Sequence, residues 1–192
     1  MRAGLADPVR DSQRIFRAVL AAMAQPGHIT DVPGPFDTPS ALDPATCGVC
    51  LALVDFETPL WLDRRAATKD VVDYLRFHCS CPLVDQPGAA RFAVIADLDG
   101  RPDLEAFDLG TDVSPERSAT LVIQVQALAA RTGRALSGPG IRTRTLLHVE
   151  GVDERFWREV RDNGALFPRG VDIILSAGTV IAALPRTVRV GA

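Results

Sequence analysis

The 192-residue chain is 47% hydrophobic and 23% charged, with 21 Lys and Arg against 24 Asp and Glu for a formal net charge of −3. That is the composition of an ordinary globular domain, of a size that buries about 70% of the surface its unfolded chain exposes, and it excludes disordered and fibrous classes. No basic stripe supports nucleic-acid binding, no stretch approaches the ~18 apolar residues of a membrane span, and the first residues carry no apolar signal-peptide run. A single domain over residues 1–192, soluble and cytoplasmic, is expected. Twenty of the 21 cations are Arg, so any lysine mechanism depends on Lys69 alone.

The first predicted element is a helix capped at Asp11 and running to Ala24, with Phe16, Val19, Leu20 and Met23 at the i, i+3, i+4, i+7 spacing of a buried face. Pro26-Gly27 ends it. Pro33-Gly34-Pro35 and Thr38-Pro39-Ser40 mark a loop, followed by a helix over about 43–54 and a short strand at 59–62. Thr68 reads as the N-cap of a third helix from Lys69 to about His78, with Val71, Val72, Leu75 and Phe77 as core positions and Lys69 exposed at its start. A strand at 91–95, a short helix near 104–107 and a buried strand at 121–125 follow. Arg134-Ala135-Leu136 leads into a Gly138-Pro139-Gly140 turn, and a helix covers 153–160. Two apolar runs, 171–175 and 180–184, are separated by Gly178-Thr179 and read as a hairpin. Early helix–strand alternation and a late hairpin predict an α/β fold with a central mixed sheet flanked by helices.

Cys47 and Cys50 have the two-residue spacing of a zinc chelate, but Cys79 and Cys81 do not, and Cys47–Val54 is an apolar helical run. Four buried thiols are the favoured reading, and no metal site is expected. Walker, His-Glu-x-x-His and Gly-x-Ser-x-Gly patterns are all lacking. Polar residues in apolar settings are the better pointers. Arg17 adjoins the first helix's apolar face, Asp172 interrupts a β run, and Arg186 follows another. These three either form ion pairs under the sheet edge or bind a ligand at a sheet end. His78, flanked by Arg76 and Cys79 near a helix end, is the most distinctive of the three histidines.

The run Phe16-Arg17-Ala18-Val19-Leu20-Ala21-Ala22-Met23-Ala24-Gln25-Pro26-Gly27 resembles the opening signature of the H-subunit family of the phosphonate carbon–phosphorus lyase core complex. Similar blocks follow in order: Thr58–Leu62, Leu75–His78, Pro82–Val84, Ser118–Leu121, Leu136–Ile141, Phe167-Pro168, Gly170–Leu175 and Pro185–Thr187. The resemblance implies a cytoplasmic homodimeric accessory subunit that assembles with the G, I and J subunits. That complex makes ribose 1-phosphonate 5-triphosphate from a nucleoside triphosphate and a phosphonate. S-adenosylmethionine and an iron–sulfur cluster are used on another subunit, and no cofactor is expected in this chain. The resemblance further implies a fold like that of pyridoxal-phosphate-dependent transferases without their catalytic residues. An exposed Lys69 at a helix start agrees, since a Schiff-base lysine needs a desolvated pocket. No catalytic residue is assigned; Arg17, Arg76, His78, Asp172 and Arg186 are the ligand-binding candidates, and they define the alternative of a small-molecule enzyme or binding protein.

Overall fold

The computed structural model describes residues 2–32 and 37–191; the expected loop at Pro33-Gly34-Pro35 lies outside the described residues. Helix α1 (Pro8–Ala24) begins one turn earlier than the sequence suggests. Asp7 is the cap, its carboxylate accepting the Arg10 N–H at 3.0 Å, and Pro8 occupies the first helical turn, where its missing N–H costs nothing. Asp11 instead accepts the Asp7 N–H. Helices α2 (Pro44–Leu53) and α3 (Lys69–Cys79) fall where predicted, and the Thr68 hydroxyl caps α3 by accepting from Val71 N. Strands β1 (Thr30–Asp31), β2 (Leu60–Leu62), β3 (Phe92–Ile95), β4 (Thr120–Gln124), β7 (Asp172–Ala177) and β8 (Val180–Leu184) form a six-stranded mixed sheet in the order β1-β8-β7-β4-β3-β2. Strands β2, β3, β4 and β7 are parallel; the expected β7–β8 hairpin is antiparallel, as is β1 against β8.

Alternation along the strands explains the layers. Val94, Val122, Ile174, Ile181 and Ala183 point toward α1, α2 and α3. Ile95, Leu121, Ile123, Ile173, Leu175, Ala182 and Leu184 point the other way. Covering that second face are α4 (Glu154–Ala165), capped by Asp153, and a three-stranded antiparallel sheet of β5 (Ala127–Ser137), β6 (Thr145–Glu150) and β9 (Arg189–Val190). The sequence reading sees only the end of β5 and misses β6. The cause is a bulge: register shifts between Ala130 and Arg134, so Arg131-Thr132-Gly133 interrupts the alternation that marks a strand.

Two helix faces differ from expectation. α1 buries Ile15, Ala18, Val19 and Ala22, leaving Phe16 51% and Leu20 56% exposed. α3 buries Val71, Tyr74, Leu75 and Cys79, while Phe77 is 60% exposed. In both helices an apolar residue beside the true stripe competes with it at the same period.

Several blocks that carry the family resemblance are joints of this fold. Gly140, at φ 81°, sits so close to the end of α1 that a Cβ there would lie 2.1 Å from the Ala24 carbonyl oxygen. Gly27 in turn fits against Leu136 and Thr145, and its N–H donates to Ala183 O at 3.2 Å. The Pro26-Gly27 and Gly138-Pro139-Gly140 turns thus interlock at the edge where the parallel strands begin.

All four cysteines are free and buried, in the cluster beneath α2 and α3. Burial pushes the Cys47 thiol up from the usual 9.0 to about 11 and the Cys79 thiol to about 12; Cys50 and Cys81 are raised for the same reason. The native protein should therefore resist an aromatic disulfide reagent at neutral pH, all four thiols reacting on unfolding. Because folding raises these values, their contribution to stability is complete below the unfolded thiol range. Unfolding free energies from urea titrations should fall as pH rises from about 9 toward 11, by up to about 1.4 kcal/mol per pH unit for each thiol ionised only in the unfolded chain.

Candidate functional site

The residues singled out in the sequence fall in three places. Asp172 opens β7 and Arg186 follows β8, and they are joined. Arg186 Nη2 donates to Asp172 Oδ2 at 2.5 Å, its Nε and backbone N–H both reach Oδ1, and Nη1 donates to Pro115 O at 2.7 Å and Pro168 O at 3.4 Å. With side chains 14% and 18% exposed, the pair fastens three loops together; this is the ion-pair reading of these two residues. Arg17 stands apart, exposed on α1, and makes no ion pair among the described residues. Arg76 is exposed on α3, whereas His78 is half-buried against the N-terminal segment, with Nε2 3.2 Å from Arg2 O and its ring stacked at a tilt on Tyr74. The structure brings Asp172 and Arg186 together and leaves Arg17, Arg76 and His78 separate from them.

Chain direction explains why Arg186 does not sit at the ligand-favoured edge. β8 is antiparallel to β7, so the end of β8 lies beside the beginnings of the parallel strands. In parallel sheets the crevice outside the carboxyl ends is the usual ligand position, and that edge holds a cavity of about 420 Å³. Its wall comes from the residues just past β3 (Ala96 to Asp99), the end of β4 (Gln124 to Gln126), Gly151 after β6, the β7–β8 turn at Gly178, the start of α2 at Asp43, and Arg65 after β2.

This edge is held by polar fastenings. Asp63, directly after β2 and 4% exposed, accepts from Ala66 N at 2.7 Å, Ala96 N at 2.9 Å and Asp97 N at 2.7 Å. One carboxylate thus sets both the turn carrying Arg65 and the loop carrying Asp97. The far end of that loop is fixed by Arg101, whose Nη1 donates to Glu159 Oε2 on α4 at 2.7 Å and whose guanidinium lies 5.6 Å from the centre of the Phe156 ring. Leu104 N donates to the same Glu159 oxygen. On the opposite wall Gln124 accepts from Asp43 N at 2.6 Å and donates to Ala41 O at 3.2 Å. The Asp43 carboxylate accepts from Gly178 N at 3.1 Å. Burial raises the Asp43 carboxyl above its usual value, against the lowering effects of that hydrogen bond and of Arg65. Sequence reasoning passed over these residues, although the signal was there: Asp97 and Gln124 each close an apolar run at a strand's carboxyl end.

Two substitutions test these assignments by urea unfolding. Asp63→Ala strands three N–H donors and should cost about 3 kcal/mol or more. Arg186→Met leaves the Asp172 carboxylate unpaired and should cost about 3 kcal/mol; retention of full stability would show that the pair is not a fastening.

Comparison with known proteins agrees with the reading of the ordered blocks. A family model described as bacterial phosphonate metabolism protein (PhnH) matches residues 3–191. A Rhizobium meliloti protein named alpha-D-ribose 1-methylphosphonate 5-triphosphate synthase subunit PhnH is 33% identical over 184 residues, covering 96% of this chain and 92% of the relative. A Stutzerimonas stutzeri protein named putative C-P lyase subunit protein HtxG is 32% identical over 179 residues, covering 93% and 85%. A match that runs through every layer of the fold, from α1 to β9, is a match of the whole domain, and the chain belongs to the PhnH family of bacterial phosphonate metabolism proteins.

Proposed function

We propose that this chain is a subunit of the carbon–phosphorus lyase complex, supporting formation of ribose 1-phosphonate 5-triphosphate from a nucleoside triphosphate and a phosphonate. The observation that carries the reading is the end-to-end match to a relative that is itself named as a subunit of the synthase. A full-length match to a second relative named as a C-P lyase subunit points the same way.

In this reading the chain is an accessory subunit. It forms a homodimer and joins G, I and J subunits in the cytoplasm, while the S-adenosylmethionine and iron–sulfur chemistry belongs to another subunit. Val9, Phe16 and Leu20, exposed along one face of α1, support a role in association. Among the described residues no helix is long and apolar enough to cross a membrane, and no group of three or more His, Cys, Asp or Glu is arranged to hold a metal ion.

The scaffold is read as related to the pyridoxal-phosphate transferases, with the Schiff-base function gone. Lys69 is 87% exposed and paired with Asp73. An amine in that setting lacks the desolvation that would make it a nucleophile, so the residues present do not fit pyridoxal phosphate.

Co-expression of this chain with the G, I and J subunits of its own organism should yield one co-purifying assembly, and the isolated chain should be a folded dimer by light scattering, without nucleosidase activity. Failure to co-purify would overturn the subunit assignment. Turnover of a nucleoside triphosphate with methylphosphonate by the pure chain would instead favour an autonomous enzyme.

A further inference from the structure

An open strand edge presents a row of unpaired N–H and C=O groups on which another strand can form, so folded proteins shorten or cover their edges. The β2 edge is covered from within the chain: Leu60 N donates to Pro82 O at 2.8 Å, and Val84 N donates to Leu60 O at 3.0 Å. β1 and β9, at two other edges, are each two residues long. Beside β9 the bulge in β5 breaks the line as well. β6 is different. It runs six residues, Thr145–Glu150, or about 20 Å. It pairs with β5 alone and stands last in its sheet. None of the devices that blunt an edge is present, for the strand holds no Pro, Gly or Lys.

This edge also discriminates between registers. Leu147 and Val149 are buried, whereas His148 and Glu150 are exposed. A strand added beside β6 has to keep that alternation. For a second copy of β6, antiparallel about a two-fold axis, odd-numbered residues must then lie opposite odd and even opposite even. Centring the axis on Leu147 sets Arg144 opposite Glu150 at both ends of the contact, with Leu146 opposite His148 between them. An axis on His148 instead faces Glu150 with Leu146, and an axis on Leu146 faces Arg144 with His148. Of the three, only the first matches opposite charges across the strands. Arg144 and Glu150 are both exposed, and among the described residues neither side chain has an ion-pair or hydrogen-bond partner.

We propose that β6 is the homodimer interface, pairing antiparallel with β6 of a second copy so that the two three-stranded sheets join into one of six strands. A two-fold contact uses one patch twice, so a single Arg144–Glu150 complementarity supplies two cross-strand ion pairs. The proposal rests on the homodimer reading and adds where the copies meet. The outer face of α1 stays open for other chains.

Sedimentation equilibrium of the purified full chain tests it by charge reversal. The wild-type chain should dimerise reversibly. Arg144→Glu and Glu150→Arg each set like charges opposite one another at both ends, and each should weaken the dimer by about tenfold or more. The double variant R144E/E150R restores opposite charges with their places exchanged, and should return the dissociation constant to within about threefold of wild type. Both positions are exposed, so all three variants should fold, which unchanged circular dichroism would establish. A wild-type dimer indifferent to both single changes, a double variant no tighter than the singles, or a dimer dissociated by Phe16→Glu instead would overturn the β6 interface and leave the homodimer standing. A monomeric wild-type chain would overturn both.

Discussion

The fold depends on one constraint: β3, β4, β7 and β8 are apolar toward both sides, so the sheet needs an apolar cover on each face. Val94, Val122 and Ile174 alternate with Ile95, Ile123 and Leu175, and neither set can face water at reasonable cost. The three early helices supply one cover. The chain between β4 and β7 supplies the other by folding back as β5, β6 and α4 before it re-enters the sheet. Each layer then has to be fixed to its neighbours, and this is what the family-like blocks do. Gly140 against Ala24 and Gly27 against Leu136 lock the end of α1 to the second cover, and Asp172 with Arg186 closes the same edge.

The sheet's two edges have consequently become chemically different. At the edge where the parallel strands begin, the Arg186 guanidinium and backbone N–H find internal acceptors, and Gly140 lies directly against the end of α1. At the opposite edge polar groups also fasten loops, but the fastened loops stand apart and leave a cavity. Asp63 shows the difference. It is as buried as an apolar core residue and is satisfied by backbone N–H groups alone, so its work is to shape the loops beside the cavity.

Much of the architecture was legible in the sequence because apolar periodicity reports burial. The helices from Pro44 and Lys69, the strands at Phe92 and Thr120 and the final hairpin all follow from it. What it could not decide was which of two adjacent stripes on one helix faces the core. On α1 Phe16 and Leu20 draw the expected stripe to one side of Val19, whereas the sheet takes Ile15, Ala18 and Ala22 on its other side. The second sheet was hidden by the bulge at Arg131–Gly133 and by the Ala- and Arg-rich β5. The candidate site was half legible. Asp172 and Arg186 pair with each other, while Arg17, grouped with them in the sequence, stands apart; the edge on which the pair lies depends on β8 running antiparallel, which no local pattern encodes. The crevice was missed because its wall comes from six separate segments whose meeting is a property of the fold.

The misplaced stripe on α1 has a meaning of its own. A helix that needed only to cover the sheet could be polar on its outer side, as the charged residues of α4 are. Phe16 and Leu20 on the outer side of α1 instead give the helix two apolar faces, one satisfied within the chain and one not. The buried face combines Ile15 and Val19 with two alanines, Ala18 and Ala22, whereas the outer face keeps Phe16 and Leu20, whose burial against another surface would yield further free energy. The same helix is locked at its C-terminal end by Gly140 and Gly27, so the outer face is presented rigidly. A fixed apolar face needs less ordering when it meets a partner, and here that rigidity comes from the joints that complete the fold itself.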